Sequence, residues 1–289
     1  MMHGFSVRIG AISYRVGSAW RGPIAALRRL YSGYPGPEES IATVTARIGP
    51  ARPWRRWIRP QVELGGDHTL PDTVPMALRH GLLALEMAMN MQVALGERRH
   101  LLIHASAVER GGRAVIMPGD SGSGKSTLAA LLGENGWRLL ADELVMIDMA
   151  SGMILPFPRA ISLKNSAIAE MERWIPDSAR FGPRLNDTPK GALCHLRPNE
   201  CAIARMDEPA RPALILFPSF GFEPVTEGVN KSELFARLTE GSTNYAMLGQ
   251  TGFGAMLRLV EHIPAARFAY PDSRSGMAIV EQFCAEVGI

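Results

Sequence analysis

Residues 114–127 read Ala-Val-Ile-Met-Pro-Gly-Asp-Ser-Gly-Ser-Gly-Lys-Ser-Thr, an apolar run followed by a glycine-rich stretch and a lysine. Gly119 to Ser126 match in full the pattern of glycine, any four residues, glycine, lysine, and serine or threonine. An apolar strand candidate leads into this stretch, and helix-prone residues follow it. Such a strand, loop and helix direct successive backbone N–H groups and a helix N-terminus at one anion. The stretch therefore predicts a phosphate-binding loop.

The residues of this loop supply two kinds of contact. Lys125 is predicted to reach the β- and γ-phosphates of ATP, and the Ser126 hydroxyl to bind Mg²⁺. Lys125 is also the first of only four lysines in the chain, against 27 arginines. The residues expected to hold the phosphates are Gly119, Asp120, Ser121, Gly122, Ser123, Gly124, Lys125, Ser126 and Thr127.

Two carboxylates follow the next apolar strand candidate. Asp142 and Glu143 come directly after residues 139–141, and Asp142 lies 16 residues beyond Ser126, so the intervening helix must be short. Strand-end carboxylates beside phosphates suit Mg²⁺ binding and general base catalysis. We predict both as catalytic residues, with Asp142 as a metal ligand and the favoured base, although either carboxylate can be the base. Asp148 is expected to be an ordinary exposed acid.

His104 is predicted to lie at the mouth of the loop. If Gly111 and Gly112 form a two-residue hairpin turn, Arg110 pairs with Arg113. Continuing that register places His104 opposite Gly119. A single histidine in an apolar strand is otherwise a core residue more often than a site residue, so this prediction depends on the hairpin.

Taken together, His-Ala-Ser-Ala-Val-Glu-Arg-Gly-Gly-Arg at 104–113, the glycine-rich loop, and Leu-Leu-Ala-Asp-Glu at 139–143 resemble the catalytic domain of the bacterial HPr kinase/phosphorylase family. Within it they are most similar to the branch known as HPr kinase-related kinase A. The resemblance is strongest over about residues 100–148. It implies an α/β domain with a mixed sheet that phosphorylates a protein serine with ATP and Mg²⁺. It also implies site roles for His104, Lys125, Ser126 and the Asp142-Glu143 pair.

The chain departs from that family at two site positions. Glu143 stands where the family has its second aspartate, and Ser162 aligns with a glutamate that binds a second Mg²⁺. The sequence therefore predicts neither a second metal nor the reverse phosphorylase reaction. The first hundred residues do not resemble the family's usual N-terminal domain, so the family's phosphocarrier substrate is not carried over.

Outside the motif region, pattern and charge suggest three parts. We predict an α+β N-terminal module at 1–75, an amphipathic linking helix at 76–99, and a P-loop kinase domain at 100–289 whose C-terminal tail is mostly helical. Residues 1–60 hold ten arginines and two acids, whereas the whole chain carries only +3. The cluster at 52–59, Arg-Pro-Trp-Arg-Arg-Trp-Ile-Arg, is interpreted as a docking face for an acidic peptide or protein rather than for nucleic acid.

Four further residues are weaker candidates. Lys164 and Lys190 are two of the four lysines, and His195 and Arg197 follow shortly after. Lys190 could cover the triphosphate and Arg197 could neutralise charge, but loop, core or surface roles are at least as common for such residues. Asn230 to Glu233 faintly resemble a guanine-specificity motif, which we discard because no strand candidate precedes them.

These observations favour an ATP-dependent kinase acting on a hydroxyl, with a serine of a small protein or peptide as the acceptor. A small-molecule kinase, a nucleotidyl transferase and a nucleotide-gated regulatory protein stay open as alternative functions. The sequence also leaves open whether the chain forms a homo-oligomer. Cys194, Cys201 and Cys284 lack the spacing of a zinc site, so we expect free thiols. The sequence shows neither a signal peptide nor a membrane-spanning run, so we expect a cytoplasmic protein with no membrane partner.

Overall fold

The structure is a computed structural model that describes residues 2–37, 41–70 and 73–289. Parts of the predicted N-terminal module, at residues 1, 38–40 and 71–72, lie outside the described residues. The strands are β1 His3–Ile9, β2 Ile12–Ser18, β3 Val44–Pro50, β4 Gln61–Gly66, β5 Met76–Ala77, β6 His100–Ile103, β7 Ala105–Arg110, β8 Arg113–Pro118, β9 Arg138–Ala141, β10 Val145–Asp148, β11 Ile154–Leu155, β12 Ile161–Lys164, β13 Leu185–Thr188, β14 Gly191–Leu196, β15 Arg211–Phe220, β16 Val225–Gly228 and β17 Ala265–Tyr270. The helices are α1 Arg21–Leu30, α2 Gly81–Gly96, α3 Lys125–Glu134, α4 Ser166–Trp174, α5 Glu200–Ala204, α6 Lys231–Glu240, α7 Tyr245–His262 and α8 Ser273–Glu286.

These elements form two compact units. The fold is mixed α/β, as predicted, and it contains several sheets. The first unit combines Met1–Glu97 with Asp177–Arg197, and the second combines Arg98–Pro176 with Pro198–Ile289. This division differs from the predicted boundaries at two places. The segment 76–99 contributes α2 to the first unit instead of linking two domains, and a later segment of the chain returns to that unit.

The first unit is built on a sheet with the strand order β1-β2-β3-β4-β5, in which β2 and β3 are parallel. Helices α1 and α2 pack against this sheet and against each other. The buried residues of α2 share one side of the helix, as its spacing suggested, but the other side is not polar, since it carries Leu83, Met87 and Met91. Its buried polar groups have partners: Glu86 accepts from the Tyr31 hydroxyl at 3.1 Å, and Gln92 bonds the backbone of His68.

The second unit is built on a six-stranded mixed sheet with the order β16-β17-β15-β8-β7-β9. Strands β8, β15 and β17 run parallel, whereas β7 is antiparallel to both β8 and β9. A smaller sheet has the order β11-β10-β6. The C-terminal tail is mostly helical, with α6, α7 and α8, and the short strand β17 lies between α7 and α8. The burial of alternate residues at Ala266, Phe268 and Tyr270 is the two-residue period of a strand.

The β7–β8 hairpin has the predicted register. Arg110 pairs with Arg113 and Ala105 with Pro118, across a turn in which Gly111 and Gly112 have φ values of 60° and 79°. Positive φ at both turn positions is the requirement of a type I′ turn, which glycine meets without strain. The side chain of Glu109 reinforces the turn, because its Oε1 accepts from the Gly112 N–H at 2.5 Å. Its Oε2 accepts from Arg138 Nε of β9 at 2.6 Å, and both of these side chains are buried.

Among the described residues, no helix combines the length and the apolar composition that a membrane span requires.

Candidate functional site

The glycine-rich loop lies between β8 and α3, as the motif predicted. Helix α3 begins at Lys125, so the N–H groups of its first turn have no partner within the helix. The Ser123 N–H donates to the Asp120 carbonyl oxygen at 3.2 Å, which closes a turn inside the loop. Lys125 is buried, and its Nζ donates to the same carbonyl oxygen at 3.3 Å. The lysine ammonium and the first turn of the helix therefore face the space that the loop surrounds.

Gly124 is required both by the backbone conformation and by its neighbours. Its φ of 90° lies in the left-handed region, where a side chain is strained. A Cβ at this position would overlap the Tyr270 hydroxyl oxygen and lie 2.9 Å from the Phe220 Cβ. The second glycine of the motif thus lets the ends of β15 and β17 approach the loop closely.

Asp142 lies immediately after β9 and is buried, with an exposed fraction of 1%. Its Oδ1 accepts a 2.5 Å hydrogen bond from the Ser106 hydroxyl of β7, and its carboxylate also interacts with the Ser126 side chain. Its Oδ2 is buried with no hydrogen-bond partner. Burial, followed by the adjacent charge of Glu143, raises the pKa of Asp142, while the Ser106 and Lys125 interactions oppose that shift. The Asp142 carboxylate therefore lies beside Ser126 of the loop, and its Oδ2 has no hydrogen-bond donor among the described residues.

Glu143 and His104 form a second, more accessible pair. His104 Nδ1 lies 3.5 Å from Glu143 Oε2, and the two side chains are 37% and 28% exposed. Desolvation, followed by the positive charge of Lys125, lowers the pKa of His104, while the charges of Glu143 and Asp142 oppose that shift. Glu143 has a φ of 76°, which is unusual for a residue other than glycine. Backbone strain of this kind is typical of functional sites.

The structure brings together the main residues predicted from the motifs. His104 interacts electrostatically with Lys125, Asp142 and Glu143, and Asp142 interacts with Ser126. Lys164, at the end of β12, also reaches the loop, where its Nζ donates to Ser121 Oγ at 3.3 Å.

The other weak candidates belong to other elements, and Lys190, His195 and Arg197 are part of the first unit. Lys190 is in the turn between β13 and β14, His195 is buried within β14, and Arg197 follows β14. Asp148 caps a surface turn, in which its Oδ1 accepts from the N–H and hydroxyl of Ser151. Asn230 is the N-cap of α6 and accepts from the Glu233 N–H at 3.0 Å, so the faint guanine-specificity motif is a helix start. Cys194, Cys201 and Cys284 form no disulfide within the part of the chain that the structure describes.

Ser106 is a site residue that the motifs do not indicate. The only signal in the sequence is its position two residues after His104 in a predicted strand, because alternate side chains share one face. A fully buried serine between apolar neighbours needs a hydrogen-bond partner, and here that partner is Asp142.

The donor atoms at the loop fit Mg²⁺. The described residues contain no group of three or more His, Cys, Asp or Glu side chains placed to hold a metal. Mg²⁺ does not require such a group, since it is commonly bound by one or two carboxylates together with substrate phosphates and water. The Ser126 hydroxyl and the unpartnered Oδ2 of Asp142 are the hard oxygen ligands that such a site needs.

Comparison with known proteins adds little to this description. No family model matches the chain, and no curated protein matches it. One similar solved structure is described as the Hpr(Ser) kinase/phosphatase from Coxiella burnetii; it is 11% identical, the alignment covers 64% of this chain and 98% of that chain, and the TM-score is 0.27. A likeness this weak decides neither fold nor activity, so membership of the kinase family stays a prediction.

The close approach at Gly124 can be tested by stability measurements. We expect Gly124→Ala to lower the free energy of unfolding by about 1–2 kcal/mol through its φ, and by about 1–3 kcal/mol more through overlap with Tyr270 and Phe220. The matched control is Gly136→Ala, because Gly136 has a φ of 87° but nothing within 4 Å of a new Cβ. Urea denaturation of both variants measures the difference, and equal losses would contradict the packing constraint.

Proposed function

We propose that this chain is an ATP-dependent kinase that transfers the γ-phosphoryl group to a hydroxyl, with a serine of a small protein or peptide as the acceptor. The observation that carries the proposal is the position of Asp142. This buried carboxylate interacts with the hydroxyl of the loop serine, Ser126, and leaves one oxygen unpartnered, while Glu143 and His104 lie beside it with partly exposed side chains. The preference for serine rests on the sequence resemblance.

In this proposal the loop binds and orients the triphosphate. Backbone N–H groups from Gly119 to Thr127 hold the phosphates, and Lys125 offsets the negative charge of the γ-phosphate. The lysine now donates to the Asp120 carbonyl oxygen, and a phosphate oxygen would replace that acceptor. Phosphoryl transfer depends mainly on positioning and charge neutralisation, which these groups supply.

Ser126 and Asp142 are the proposed Mg²⁺ ligands. When bound, Mg²⁺ neutralises charge on the β- and γ-phosphates. The Ser106 hydroxyl donates to Oδ1 of Asp142 and so helps to hold the carboxylate, whose Oδ2 would be available to the metal.

Glu143 is our proposed general base. As the acceptor oxygen forms a bond to the γ-phosphorus, the bond from that phosphorus to the β,γ-bridging oxygen breaks, and the acceptor proton passes to the Glu143 carboxylate. The His104 ring lies beside that carboxylate, with Nδ1 3.5 Å from Glu143 Oε2. The sequence-based preference for Asp142 as the base stays untested, but burial of Asp142 and its bond to Ser106 favour Glu143.

The acceptor is proposed to dock on a basic groove in the first unit. This groove has a volume of about 1140 Å³ and is lined by Arg21, Arg55, Arg59, Arg79 and Arg184, together with apolar side chains. Within residues 2–37, 41–70 and 73–289, none of these five guanidinium groups has a carboxylate partner. The first unit as a whole holds 15 Arg and Lys residues against nine Asp and Glu.

The mixture of cations and apolar surface favours an acidic peptide segment over nucleic acid. Pro23, Ala26, Leu78 and Leu82 line the same groove. A peptide with alternating acidic and apolar side chains can satisfy both kinds of surface, whereas a phosphate backbone satisfies only the cations.

A labelling experiment tests the kinase proposal. The protein is incubated with Mg²⁺, γ-labelled ATP, and the peptides and small proteins encoded beside its gene, and mass spectrometry identifies the labelled product. We expect a mass increase of one phosphate on an acceptor hydroxyl, and Lys125→Met should abolish it without unfolding the protein. We also expect Mg²⁺-ATP to raise the melting temperature of the unaltered protein. At a nucleotide concentration a hundredfold above Kd, the free energy of unfolding should increase by about 2.7 kcal/mol.

Three other results would contradict this assignment in different ways. A mass increase of one nucleotide would indicate a nucleotidyl transferase, and label on a metabolite alone would indicate a small-molecule kinase. ATP hydrolysis without any labelled acceptor would favour a nucleotide-gated regulatory protein. The absence of any stabilisation at millimolar Mg²⁺-ATP would overturn the phosphate-loop interpretation itself.

The two carboxylates should be separable by the Mg²⁺ dependence of the rate. Glu143→Gln removes the proposed base, so we expect kcat to fall by about 10²–10⁴ with an unchanged Mg²⁺ requirement. Asp142→Asn removes a metal ligand, so we expect a lower rate together with a raised Mg²⁺ requirement. Steady-state kinetics across a Mg²⁺ titration measures both. The opposite result, a raised Mg²⁺ requirement in Glu143→Gln and an unchanged one in Asp142→Asn, would indicate that Asp142 is the base.

The docking groove is tested by charge reversal. We expect Arg59→Glu and Arg79→Glu each to weaken binding of a fluorescent peptide of alternating Glu and Leu by about tenfold, because one attractive charge becomes repulsive. Arg274→Glu, at an exposed position at the start of α8, is the control and should have little effect. Fluorescence anisotropy measures the affinities. Stronger binding of a single-stranded oligonucleotide than of the peptide would overturn the choice of a peptide partner.

A further inference from the structure

Three parallel strands end side by side at the edge of the sheet that carries the glycine-rich loop. Strand β8 ends at Pro118, directly before the loop, β15 ends at Phe220 and β17 ends at Tyr270. Ile116 pairs with Ile215 and Phe220 pairs with Tyr270, so the carboxyl ends lie at the same edge. In open α/β sheets, ligands bind outside the carboxyl ends of parallel strands. Residues after β15 are therefore placed beside any ligand that occupies the loop.

The end of β15 is fastened to the loop by direct contacts. The Phe220 N–H donates to the carbonyl oxygen of Ser123 at 3.2 Å. The Gly221 N–H donates to the Tyr270 carbonyl oxygen at 2.8 Å, and the Phe220 ring packs edge-on to the Tyr270 ring with centroids 5.5 Å apart. Tyr270 is buried against Gly124 of the loop. Phe220 is thus held in a defined position next to the phosphate-binding residues.

Two aromatic rings at this position are exposed. Phe220 is 42% exposed and Phe222 is 64% exposed, whereas Phe268 and Tyr270 of the adjacent strand are each 2% exposed. Aromatic side chains in the adjacent strand are buried, so the exposure of Phe220 and Phe222 is particular to the end of β15. Neighbouring exposed rings beside a predicted anion site, rather than scattered over the surface, indicate a binding surface.

The strand order shows which part of a nucleotide these rings would meet. Asp142 follows β9, which is separated from β8 by β7, whereas β15 is the neighbour of β8 on the other side. The proposed metal ligand Asp142, the proposed general base Glu143 and the γ-phosphate therefore lie toward β7 and β9. The remainder of a nucleoside triphosphate, its sugar and nucleobase, would then have room to extend from the loop toward β15.

We propose that Phe220 and Phe222 form a stacking platform for the nucleobase of the nucleoside triphosphate. This inference rests on the proposed function, because it assumes that the loop holds the phosphates. Every base presents a π-face, so stacking adds affinity without reading the hydrogen-bonding edge of the base. The platform separates two sources of affinity, the phosphate contacts of the loop and the base contacts of the aromatic rings.

The experiment compares two probes by isothermal titration calorimetry. Mg²⁺-ATP carries both the phosphates and the base, whereas Mg²⁺-tripolyphosphate carries the phosphates alone. We expect Phe222→Ala to weaken Mg²⁺-ATP binding by about 5- to 150-fold, the range of a lost base-stacking contact, and to leave Mg²⁺-tripolyphosphate binding unchanged. Phe222→Trp should retain the affinity for Mg²⁺-ATP, because it retains an aromatic face.

Phe220→Ala should show the same selectivity, but it also removes a packing partner of Tyr270, so the more exposed Phe222 is the decisive position. The matched control is Phe253→Ala, since Phe253 of α7 is 46% exposed and should not affect either probe. Equal losses for both probes, or no loss for Mg²⁺-ATP in Phe222→Ala, would overturn the platform. If the unaltered protein binds neither probe, the phosphate loop itself fails, and the proposed function fails with it.

Discussion

The two-residue turn at Gly111 and Gly112 is the constraint on which the rest of the second unit depends. Because the turn fixes the register of β7 against β8, it sets which β7 side chains stand beside the glycine-rich loop. A shift by one residue would move Ser106 to the opposite face of the sheet and away from Asp142. Glu109 secures this arrangement from two directions, through the Gly112 N–H and through Arg138 of the neighbouring strand. Breaking a buried ion pair of this kind by removing one partner typically costs about 3–5 kcal/mol, so the hairpin and β9 are held to each other strongly.

Much of the second unit could be predicted because its signals are local. The glycine-rich motif, the Gly-Gly turn and the apolar runs each depend on a few neighbouring residues. The position of His104 near the loop was predicted by counting residue pairs along the hairpin from the turn. Ser106 could not be predicted with the same means, because its role depends on a carboxylate 36 positions away in sequence. Strand β17 was missed because its alternation is short and lies between helices. For α2 the three- and four-residue spacing was a correct sign of helix, but it did not indicate the burial of Glu86 and Gln92, since they find partners that only the fold supplies.

The site combines a buried carboxylate with an accessible one at adjacent positions. Their environments differ: Asp142 follows β9 and is buried, whereas Glu143, which has a positive φ, is partly exposed and lies beside His104. Two acids that look equivalent in the sequence therefore have different neighbours and suit different tasks. Lys125 lies close enough to affect both His104 and Asp142, so a change of charge at any of these groups is felt by the others.

The first unit is made from two separate stretches of the chain, Met1–Glu97 and Asp177–Arg197. During synthesis on a ribosome, β1 to α2 emerge well before the hairpin of β13 and β14 that completes the unit. The intervening 79 residues belong to the other unit, and that unit in turn requires β15 and β17 from still later in the chain. Neither unit can finish folding before a large part of the other has been translated. The order of translation therefore couples their folding, and the incomplete chain must keep its exposed apolar surfaces from aggregating until residue 270 has left the ribosome.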